Sequence, residues 1–245
     1  MAKFGLIGKN IDYSFSKSYF NKKFENEGLK HTYKNYDIDT IDKFPKIISS
    51  TKKLRGLNVT IPYKETIIPY LDKLHKTAKK INAVNTIKIT KKGKLIGYNT
   101  DYLGFKKSIE PHLKPQHKKA LILGTGGASK AIAYALKKLG IKYKYVSRKP
   151  TGNNAFTYDS LTENDIKSHQ IIINCTPLGT YPKTNECPNI PYDGINGTHL
   201  VFDLIYNPEE TKFLTIAKIK GATTCNGSKM LELQAEKAWK IWQKC

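Results

Sequence analysis

The chain has 245 residues, of which 39% are hydrophobic and 11% aromatic, and its formal net charge at pH 7 is +22. This length allows two compact domains with substantial cores, and the composition fits a soluble globular protein. No apolar stretch approaches the roughly 20 residues of a transmembrane helix, which excludes a helical membrane-spanning protein. Met1-Ala2-Lys3 leads directly into a strand-like run, so we expect no signal peptide and a cytoplasmic location.

Lysine supplies almost all of the positive charge, because Arg55 and Arg148 are the only arginines. The lysines are spread along the whole chain, with little of the arginine–aromatic interleaving that reads nucleic-acid bases. We therefore predict small-molecule partners, with no nucleic acid and no membrane among them. A basic nucleic-acid-binding protein is the alternative class, which a DNA-binding assay at physiological salt would separate from charge-driven attraction.

The four cysteines and six histidines give no sign of a metal site. No cysteine belongs to a CxxC unit, and the histidines lack metal-ligand spacing. We expect reduced thiols, and we predict neither a disulfide framework nor a metal.

The first strand is predicted at Phe4–Gly8, a short apolar run that ends in glycine. Ser14 and Ser16 follow, directly before a charged, helix-like segment. Serines at such positions commonly act as capping and turn residues. Alternatively, their hydroxyls bind a carboxylate with the help of the free N–H groups at the helix start.

The strand predicted at Leu54–Val59 runs into the motif Asn58-Val59-Thr60-Ile61-Pro62-Tyr63-Lys64. Pro62 suits the first turn of a helix and Thr60 its N-cap, so a helix with Lys64 in its first turn is predicted. The positive end of a helix dipole disfavours a cation, which would help Lys64 to exchange a proton. The alternative is a solvated surface lysine.

Two further polar side chains are predicted at the ends of extended segments that form a hairpin. Asn85 begins the first segment, and Asp101 closes the second. At such positions side chains commonly face a cleft, although each alone would be an ordinary turn residue.

A dinucleotide-binding turn is predicted after the Pro/Lys/His-rich segment 111–119. The apolar strand Ala120–Leu123 is followed by Gly124-Thr125-Gly126-Gly127-Ala128-Ser129, a small-residue helix and a second strand, Ile141–Val146. Glycines between a strand and a helix let the backbone approach a pyrophosphate, which lies at the helix N-terminus.

The segment after the second strand, Ser147-Arg148-Lys149, predicts which dinucleotide binds. An acidic residue here would bind the ribose 2′-hydroxyl of NAD, and this segment has none. The Arg148 guanidinium is suited to a 2′-phosphate. We therefore favour NADP over NAD.

Three more strands are predicted at Gln170–Asn174, His199–Leu204 and Ala222–Cys225. The loops that follow such strands bind ligands in open α/β sheets. The chain then continues in a helix to Trp242, on which Gln234 is either a surface residue or a hydrogen-bond donor facing a cleft.

Taken in order, these segments resemble the shikimate dehydrogenase family over nearly the whole chain. The motifs that carry the resemblance are Ser14-Phe15-Ser16, the Asn58 to Lys64 segment, Ala83-Val84-Asn85-Thr86, Gly97-Tyr98-Asn99-Thr100-Asp101, Gly124-Thr125-Gly126-Gly127-Ala128, Tyr206-Asn207-Pro208, and Met230-Leu231 followed by Gln234. Any one of them could occur by chance, but all of them in order are a strong signal.

The resemblance implies an enzyme of aromatic amino-acid and chorismate biosynthesis that reversibly reduces 3-dehydroshikimate to shikimate with NADP. Lys64 would be the catalytic proton donor and acceptor, with Asp101 beside it. The residues implied to bind substrate are Ser14, Ser16 and Tyr206 at its carboxylate, and Asn58, Thr60, Lys64, Asn85, Asp101 and Gln234 around its ring. The residues implied to bind NADP are Gly124, Thr125, Gly126, Gly127 and Ala128 at the pyrophosphate, Ser147, Arg148 and Lys149 at the 2′-phosphate, and Thr176, Leu204, Gly227 and Met230 at the nicotinamide.

The alternation of strands and helices predicts an α/β fold. With the resemblance, it implies two domains and a monomer or homodimer. The substrate-binding domain, with a mainly parallel sheet, would comprise residues 1–101 completed by the C-terminal helix 228–245. A Rossmann-type NADP-binding domain would comprise residues 102–227.

The chain departs from the family pattern at two places. Tyr13, Lys17 and Phe20 stand where the family often has His, Pro and His, and Ser147-Arg148-Lys149 replaces the usual Asn-Arg-Thr. The preference for NADP is therefore expected to be less strict. The alternative function is a quinate/shikimate dehydrogenase with relaxed NAD(P) use.

Overall fold

The computed structural model describes residues 1–11, 14–149 and 155–243. Tyr13 and the last two residues of segment 228–245 thus lie outside the described residues. The chain forms two compact units, Met1–Thr100 with Ala235–Cys245, and Asp101–Gln234.

Strands and helices alternate along most of the chain. The strands are β1 (Lys3–Gly8), β2 (Thr32–Asp37), β3 (Leu54–Val59), β4 (Lys73–Leu74), β5 (Thr86–Ile89), β6 (Leu95–Tyr98), β7 (Lys119–Leu123), β8 (Lys142–Val146), β9 (Ala155–Phe156), β10 (Ile171–Asn174), β11 (Leu200–Asp203) and β12 (Thr223–Cys225). The α-helices are α1 (Phe15–Asn26), α2 (Phe44–Ser50), α3 (Lys76–Ile81), α4 (Asp101–Ile109), α5 (Gly127–Lys138), α6 (Glu163–Ser168), α7 (Lys212–Ile219) and α8 (Ser228–Gln243). Short 3-10 helices lie at Ile41–Lys43, Ile68–Tyr70, Glu110–His112 and Tyr192–Gly194.

The first unit is built on a mixed sheet with the strand order β2-β1-β3-β5-β6-β4. β1 pairs in parallel with β2 and β3, and β4 with β6, whereas β5 is antiparallel to both β3 and β6. The predicted hairpin is therefore present as β5–β6. One face of the sheet packs on α1 and the second half of α8, through Phe20 and Trp242 among others. The other face packs on α2 and α3.

The second unit is built on an all-parallel sheet with the strand order β12-β11-β10-β7-β8-β9. Its central strands are continuous apolar runs, because helices cover both faces. α4 and α5 pack on one face, and α6 and α7 on the other. The strand order reverses between β7 and β10, so the carboxyl ends of these two strands border the crevice where open α/β sheets bind ligands. The predicted α/β fold class is confirmed.

The predicted α-helix with Thr60 as its N-cap and Lys64 in its first turn is wrong. Residues 61–67 form successive turns, in which the Tyr63 N–H donates to the Thr60 carbonyl at 2.9 Å, before the 3-10 helix Ile68–Tyr70. Pro69 contributes to the difference, since it has no N–H to donate to the Glu65 carbonyl and so to extend an α-helix. The helix-dipole argument for Lys64 therefore does not apply.

Within residues 1–11, 14–149 and 155–243, no helix is both long and apolar enough to cross a bilayer.

Candidate functional site

Lys64 lies in the first unit and is held by its neighbours rather than by a helix. The hydroxyl of the preceding residue, Tyr63, is buried and donates to the Ile38 carbonyl at 2.6 Å. The Lys64 carbonyl accepts a hydrogen bond from the Val84 N–H at 2.7 Å. Lys64 itself is half-buried. Its backbone is thus fixed to the segment that carries Asn85.

Asn58 is a buried residue near the carboxyl end of β3, and protein groups occupy its side chain. Its Oδ1 accepts from the Tyr33 hydroxyl at 2.8 Å. Its Nδ2 donates to the Asn85 carbonyl at 3.2 Å and to Thr86 Oγ1 at 3.3 Å. These contacts make Asn58 a positioning residue for the start of β5.

Asn85 is buried just before β5 and is tied to the end of the hairpin. Its Oδ1 accepts from the Thr100 N–H at 2.7 Å, and its Nδ2 donates to Thr100 Oγ1 at 2.9 Å. Thr60 lies nearby at the end of β3, where its N–H donates to the Ile7 carbonyl at 2.9 Å. A Cβ added at Gly8 would clash with Thr60, so the absence of a side chain at Gly8 leaves room for this threonine.

The two serines of the Ser14-Phe15-Ser16 motif lie at the start of α1, with Ser14 as its N-cap residue. The Ser14 side chain does not cap the helix, and its buried Oγ has no hydrogen-bond partner among the described residues. Ser16 is buried and hydrogen-bonds Tyr33. Burial raises the pKa of Tyr33 well above its ordinary value, and the Ser16 hydrogen bond opposes this. Ser14 therefore has a buried hydroxyl that the described residues leave without a hydrogen bond.

The glycine turn of the second unit connects β7 to α5 as predicted. Gly124 has φ +98°, a conformation that residues with a side chain rarely adopt, and a Cβ there would lie 3.1 Å from Thr176 Cγ2. Gly126 is the N-cap of α5, and the space beside it is open. Ser129, in place of a third glycine, is buried and donates to the Gly126 carbonyl at 2.6 Å. Thr125, Gly127 and Ala128 complete an accessible loop at the helix N-terminus.

Ser147, Arg148 and Lys149 follow β8, where the sequence predicts the 2′-phosphate. The Ser147 side chain is buried, and its Oγ has no hydrogen-bond partner among the described residues. Arg148 and Lys149 are exposed. Burial raises the pKa of Tyr158 to about 12, and the charge of Arg148 opposes this. The segment combines two accessible cations with an unpartnered hydroxyl.

A buried network holds the loops that follow β10 and β11. Asn174 Oδ1 accepts from Thr176 Oγ1 at 2.7 Å, and Asn174 Nδ2 donates to Asp203 Oδ1 at 3.1 Å. The other Asp203 oxygen accepts from Thr211 Oγ1 at 2.7 Å. Burial raises the pKa of Asp203 to about 6, against these hydrogen bonds. Thr176 is thereby fixed next to the glycine turn.

The remaining predicted residues of the second unit surround the start of α8. A Cβ at Gly227 would clash with the Leu204 carbonyl, so these two residues are in direct contact. Met230 packs in the core, and Gln234 is buried with its Nε2 donating to the Leu231 carbonyl at 3.0 Å. Tyr206 and Asp101 complete the predicted set. Tyr206 is half-buried after β11, and Asp101 is buried in the first turn of α4.

The structure thus places the predicted residues in two groups. Ser14, Ser16, Asn58, Thr60, Lys64 and Asn85 belong to the first unit, and Asp101, Gly124 to Ala128, Ser147 to Lys149, Thr176, Leu204, Tyr206, Gly227, Met230 and Gln234 to the second. Sequence reasoning missed the buried partners Tyr33, Thr86, Thr100, Asn174 and Asp203. Thr86 and Thr100 lie inside quoted motifs, directly beside Asn85 and Asp101 respectively, and this position is the signal that could have identified them. The described residues contain no cluster of His, Cys, Asp and Glu that could hold a metal.

Comparison with known proteins gives one consistent family. Residues 6–87 match the model of the shikimate dehydrogenase substrate binding domain. The chain is 42% identical to the shikimate dehydrogenase (NADP(+)) of Clostridium beijerinckii, over all of this chain and 93% of the relative, and 40% identical to that of Methanosphaera stadtmanae, over 97% and 90%. Among solved structures, the shikimate 5-dehydrogenase of Thermus thermophilus in complex with NADP(H) and shikimate is 29% identical with a TM-score of 0.88, over 99% of this chain and 94% of that one.

Proposed function

Because the chain belongs to the shikimate dehydrogenase family, we propose that it is the NADP-dependent oxidoreductase that interconverts 3-dehydroshikimate and shikimate, a step of aromatic biosynthesis. Its first unit would bind the substrate and its second unit would bind NADP.

Two of the three buried hydroxyls that lack a partner among the described residues support this proposal, the third being that of Tyr158. Ser14 Oγ and Ser147 Oγ are both buried without a hydrogen-bond partner among the described residues. Leaving a buried hydroxyl unsatisfied costs about 1–3 kcal/mol, so a ligand that completes the bond offsets a real penalty. One hydroxyl lies where the substrate carboxylate is expected, and the other lies where the cofactor 2′-phosphate is expected.

The residues of the second unit fit NADP. The glycine turn at Gly124 and Gly126 brings bare backbone to the N-terminus of the 12-residue helix α5, which favours a pyrophosphate. Ser147 and Arg148 would bind the 2′-phosphate, with Lys149 as a further cation. NADPH, when bound, supplies the hydride from C4 of its nicotinamide.

The chain's own part in the reaction is binding, orientation and proton transfer. Ser14, Ser16 and Tyr206 would hold the substrate carboxylate, and Thr60, Asn85 and Gln234 its ring hydroxyls. Lys64 would stabilise the negative charge that develops on the carbonyl oxygen and donate a proton to it. Asp101 would orient Lys64. In the oxidation direction Lys64 would accept the proton from the shikimate hydroxyl.

The hydrogen bonds of Asn58 in the first unit change the role expected for this residue. Asn58 already hydrogen-bonds Tyr33, Asn85 and Thr86. We therefore propose that Asn58 acts on the substrate through Asn85 rather than by direct contact. We also propose a cytoplasmic monomer or homodimer that has no specific nucleic-acid partner.

The test is a spectrophotometric assay of the purified protein, which follows nicotinamide absorbance with shikimate or quinate and with NADP or NAD. We expect the highest kcat/KM with shikimate and NADP. Equal or higher values with quinate or NAD would favour the quinate/shikimate dehydrogenase alternative. Turnover with none of the four pairs would contradict the proposed function.

A further inference from the structure

A cavity lies in the first unit, at the end of the sheet where β1 and β3 begin. Its volume is about 670 Å³. The residues implied to bind substrate in this unit lie near the opposite ends of these strands, after Gly8 and Val59. The cavity is therefore separate from the site described above, and it lies within the 300–1,000 Å³ range of small-molecule sites.

Aromatic side chains form the apolar wall of this cavity. Phe4, Trp239 and Trp242 line it together with Ile96. The ring of Trp242 stacks on that of Phe4 with centroids 4.9 Å apart, and Trp242 Nε1 donates to the Ile87 carbonyl at 3.0 Å. A Cβ at Gly56 would clash with the Trp242 indole, so this tryptophan lies directly on β3. The wall is thus rigid and already formed.

Cations form the rim of the cavity. Arg55, Lys91, Lys92 and Lys94 line it and are exposed. Arg55 is the extra residue of a β-bulge, since Lys3 pairs with Leu54 and Phe4 pairs with Gly56. The other three belong to the β5–β6 turn.

The lining of this cavity is basic. Among the described residues, it contains neither aspartate nor glutamate. In the part of the chain that the structure describes, none of these four cations makes a salt bridge. Like charges gathered around an apolar cavity concentrate anions there.

We propose that this cavity, hereafter the rim site, binds a small aryl anion, that is, an aromatic ring carrying a carboxylate or a phosphate. The ring packs on the wall of Phe4, Trp239 and Trp242. The anionic group pairs with Arg55 and the lysines of the β5–β6 turn, which supply charge-assisted hydrogen bonds. The proposal does not depend on the proposed dehydrogenase activity.

The net charge of the chain and the arrangement of the aromatic rings argue against other occupants of the rim site. A second copy of this chain carries the same +22 charge and would be repelled. Single-stranded nucleic acid binds through exposed aromatic rings on which bases stack. The aromatic rings here line one compact cavity and do not form a row along which successive bases could stack. A compact ligand that enters the cavity fits both observations.

The test uses intrinsic fluorescence, because Trp239 and Trp242 are the only tryptophans of the chain and both line the rim site. Phenyl phosphate, inorganic phosphate and benzyl alcohol are titrated into the full-length protein. We expect phenyl phosphate to give a saturable change of tryptophan emission, with an affinity at least tenfold higher than that of either other probe. The affinity is expected to fall as NaCl is raised.

Variants localise the binding. Replacing the three turn lysines together, Lys91→Gln, Lys92→Gln and Lys94→Gln, should weaken phenyl phosphate binding at least tenfold. The matched control Lys46→Gln, Lys79→Gln and Lys80→Gln removes the same charge from exposed positions on α2 and α3 and should change the affinity less than twofold. All six lysines are exposed, so both variants should fold, which circular dichroism checks.

Three results would overturn the proposal. They are no saturable emission change with phenyl phosphate, equal weakening in the two triple variants, or inorganic phosphate binding as tightly as phenyl phosphate. Isothermal titration calorimetry repeats the comparison without relying on emission. If calorimetry detects binding that the turn variant does not weaken, the anion binds elsewhere and the rim site is excluded.

Discussion

At the scale of single residues, the polar side chains of the candidate site differ in whether other protein groups already hydrogen-bond them. Ser14 Oγ and Ser147 Oγ are buried without hydrogen bonds among the described residues. Asn58, in contrast, is hydrogen-bonded to Tyr33, Asn85 and Thr86. This difference separates residues expected to bind ligand from residues expected to position them, and substitutions can test it.

Removing the Ser14 hydroxyl should harm binding but not folding. In Ser14→Ala we expect the KM for shikimate to rise about tenfold, which corresponds to the loss of roughly 1.4 kcal/mol of binding. The free energy of unfolding should stay the same or increase, because an unsatisfied buried hydroxyl is removed. Steady-state kinetics and urea unfolding measure both effects. Ser49→Ala, at an exposed position of α2, is the control, and an unchanged KM in Ser14→Ala would exclude its contact with substrate.

Replacing Arg148 should separate the two nicotinamide cofactors. In Arg148→Ala we expect the KM for NADPH to rise at least about tenfold and that for NADH to change little, because only NADPH carries the 2′-phosphate. Kinetic assays with each cofactor measure this ratio. The other arginine of the chain provides the control, since Arg55→Ala should leave both KM values near those of the wild type. Equal effects of Arg148→Ala on NADPH and NADH would contradict the 2′-phosphate role.

At the scale of elements, buried polar networks hold the loops that carry ligand-binding residues. Asp203 at the end of β11 joins Asn174 of β10 to Thr211 before α7. Its carboxylate pays a desolvation penalty, which the raised pKa of about 6 records. The network fixes Thr176 and Leu204 at the expense of some stability.

This penalty predicts a pH dependence of stability. The pKa of Asp203 is near 3.8 when unfolded and about 6 when folded, so between these values the folded state binds more protons. The free energy of unfolding should therefore decrease as pH rises from about 4 to about 6, by at most about 3 kcal/mol at 1.36 kcal/mol per pKa unit. Urea unfolding at a series of pH values should show this decrease in the wild type and in Asp159→Asn, an exposed control. The contribution should be absent in Asp203→Asn, and an identical pH profile in that variant would refute it.

Strands and the dinucleotide turn could be predicted from sequence because their signals are local. Ala120–Leu123 is a continuous apolar run, and the glycines after it are needed at a single turn. The Asn174–Asp203 bond joins residues 29 positions apart, so no local pattern reveals it. The helix predicted at the Lys64 segment was wrong for another reason. Pro62 suggested the start of a helix, but the segment forms turns that lead into the 3-10 helix containing Pro69.

Most ligand-binding roles of the candidate site residues were predicted from the family resemblance, and fewer could be predicted from the residue types alone. Ser14, Ser147 and Thr176 each have an ordinary structural interpretation as cap or turn residues. Only the fold shows that Thr176 adjoins Gly124 and that Leu204 adjoins Gly227. Their assigned roles toward ligands remain predictions, which the substitutions above test.

At the scale of the whole molecule, the charge of +22 should act on ligands at a distance. Shikimate carries a carboxylate and NADP carries phosphates, so both are attracted to a strongly positive protein. Salt screens this attraction, with a Debye length that falls from about 30 Å at 0.01 M to about 10 Å at 0.1 M. We therefore expect the KM values for both ligands to rise severalfold over this range while kcat changes little. Sucrose at matched osmolarity is the control, and KM values that do not respond to salt would exclude long-range attraction.

The most direct test of the proposed mechanism is the turnover number of Lys64→Ala with shikimate and NADP. We predict a kcat at least about 100-fold below that of the wild type, the scale of a lost general acid–base group. The dissociation constant for shikimate, measured by calorimetry, should change only severalfold, and Lys79→Ala should behave as the wild type. A near-normal kcat in Lys64→Ala would contradict the proton-transfer role of Lys64.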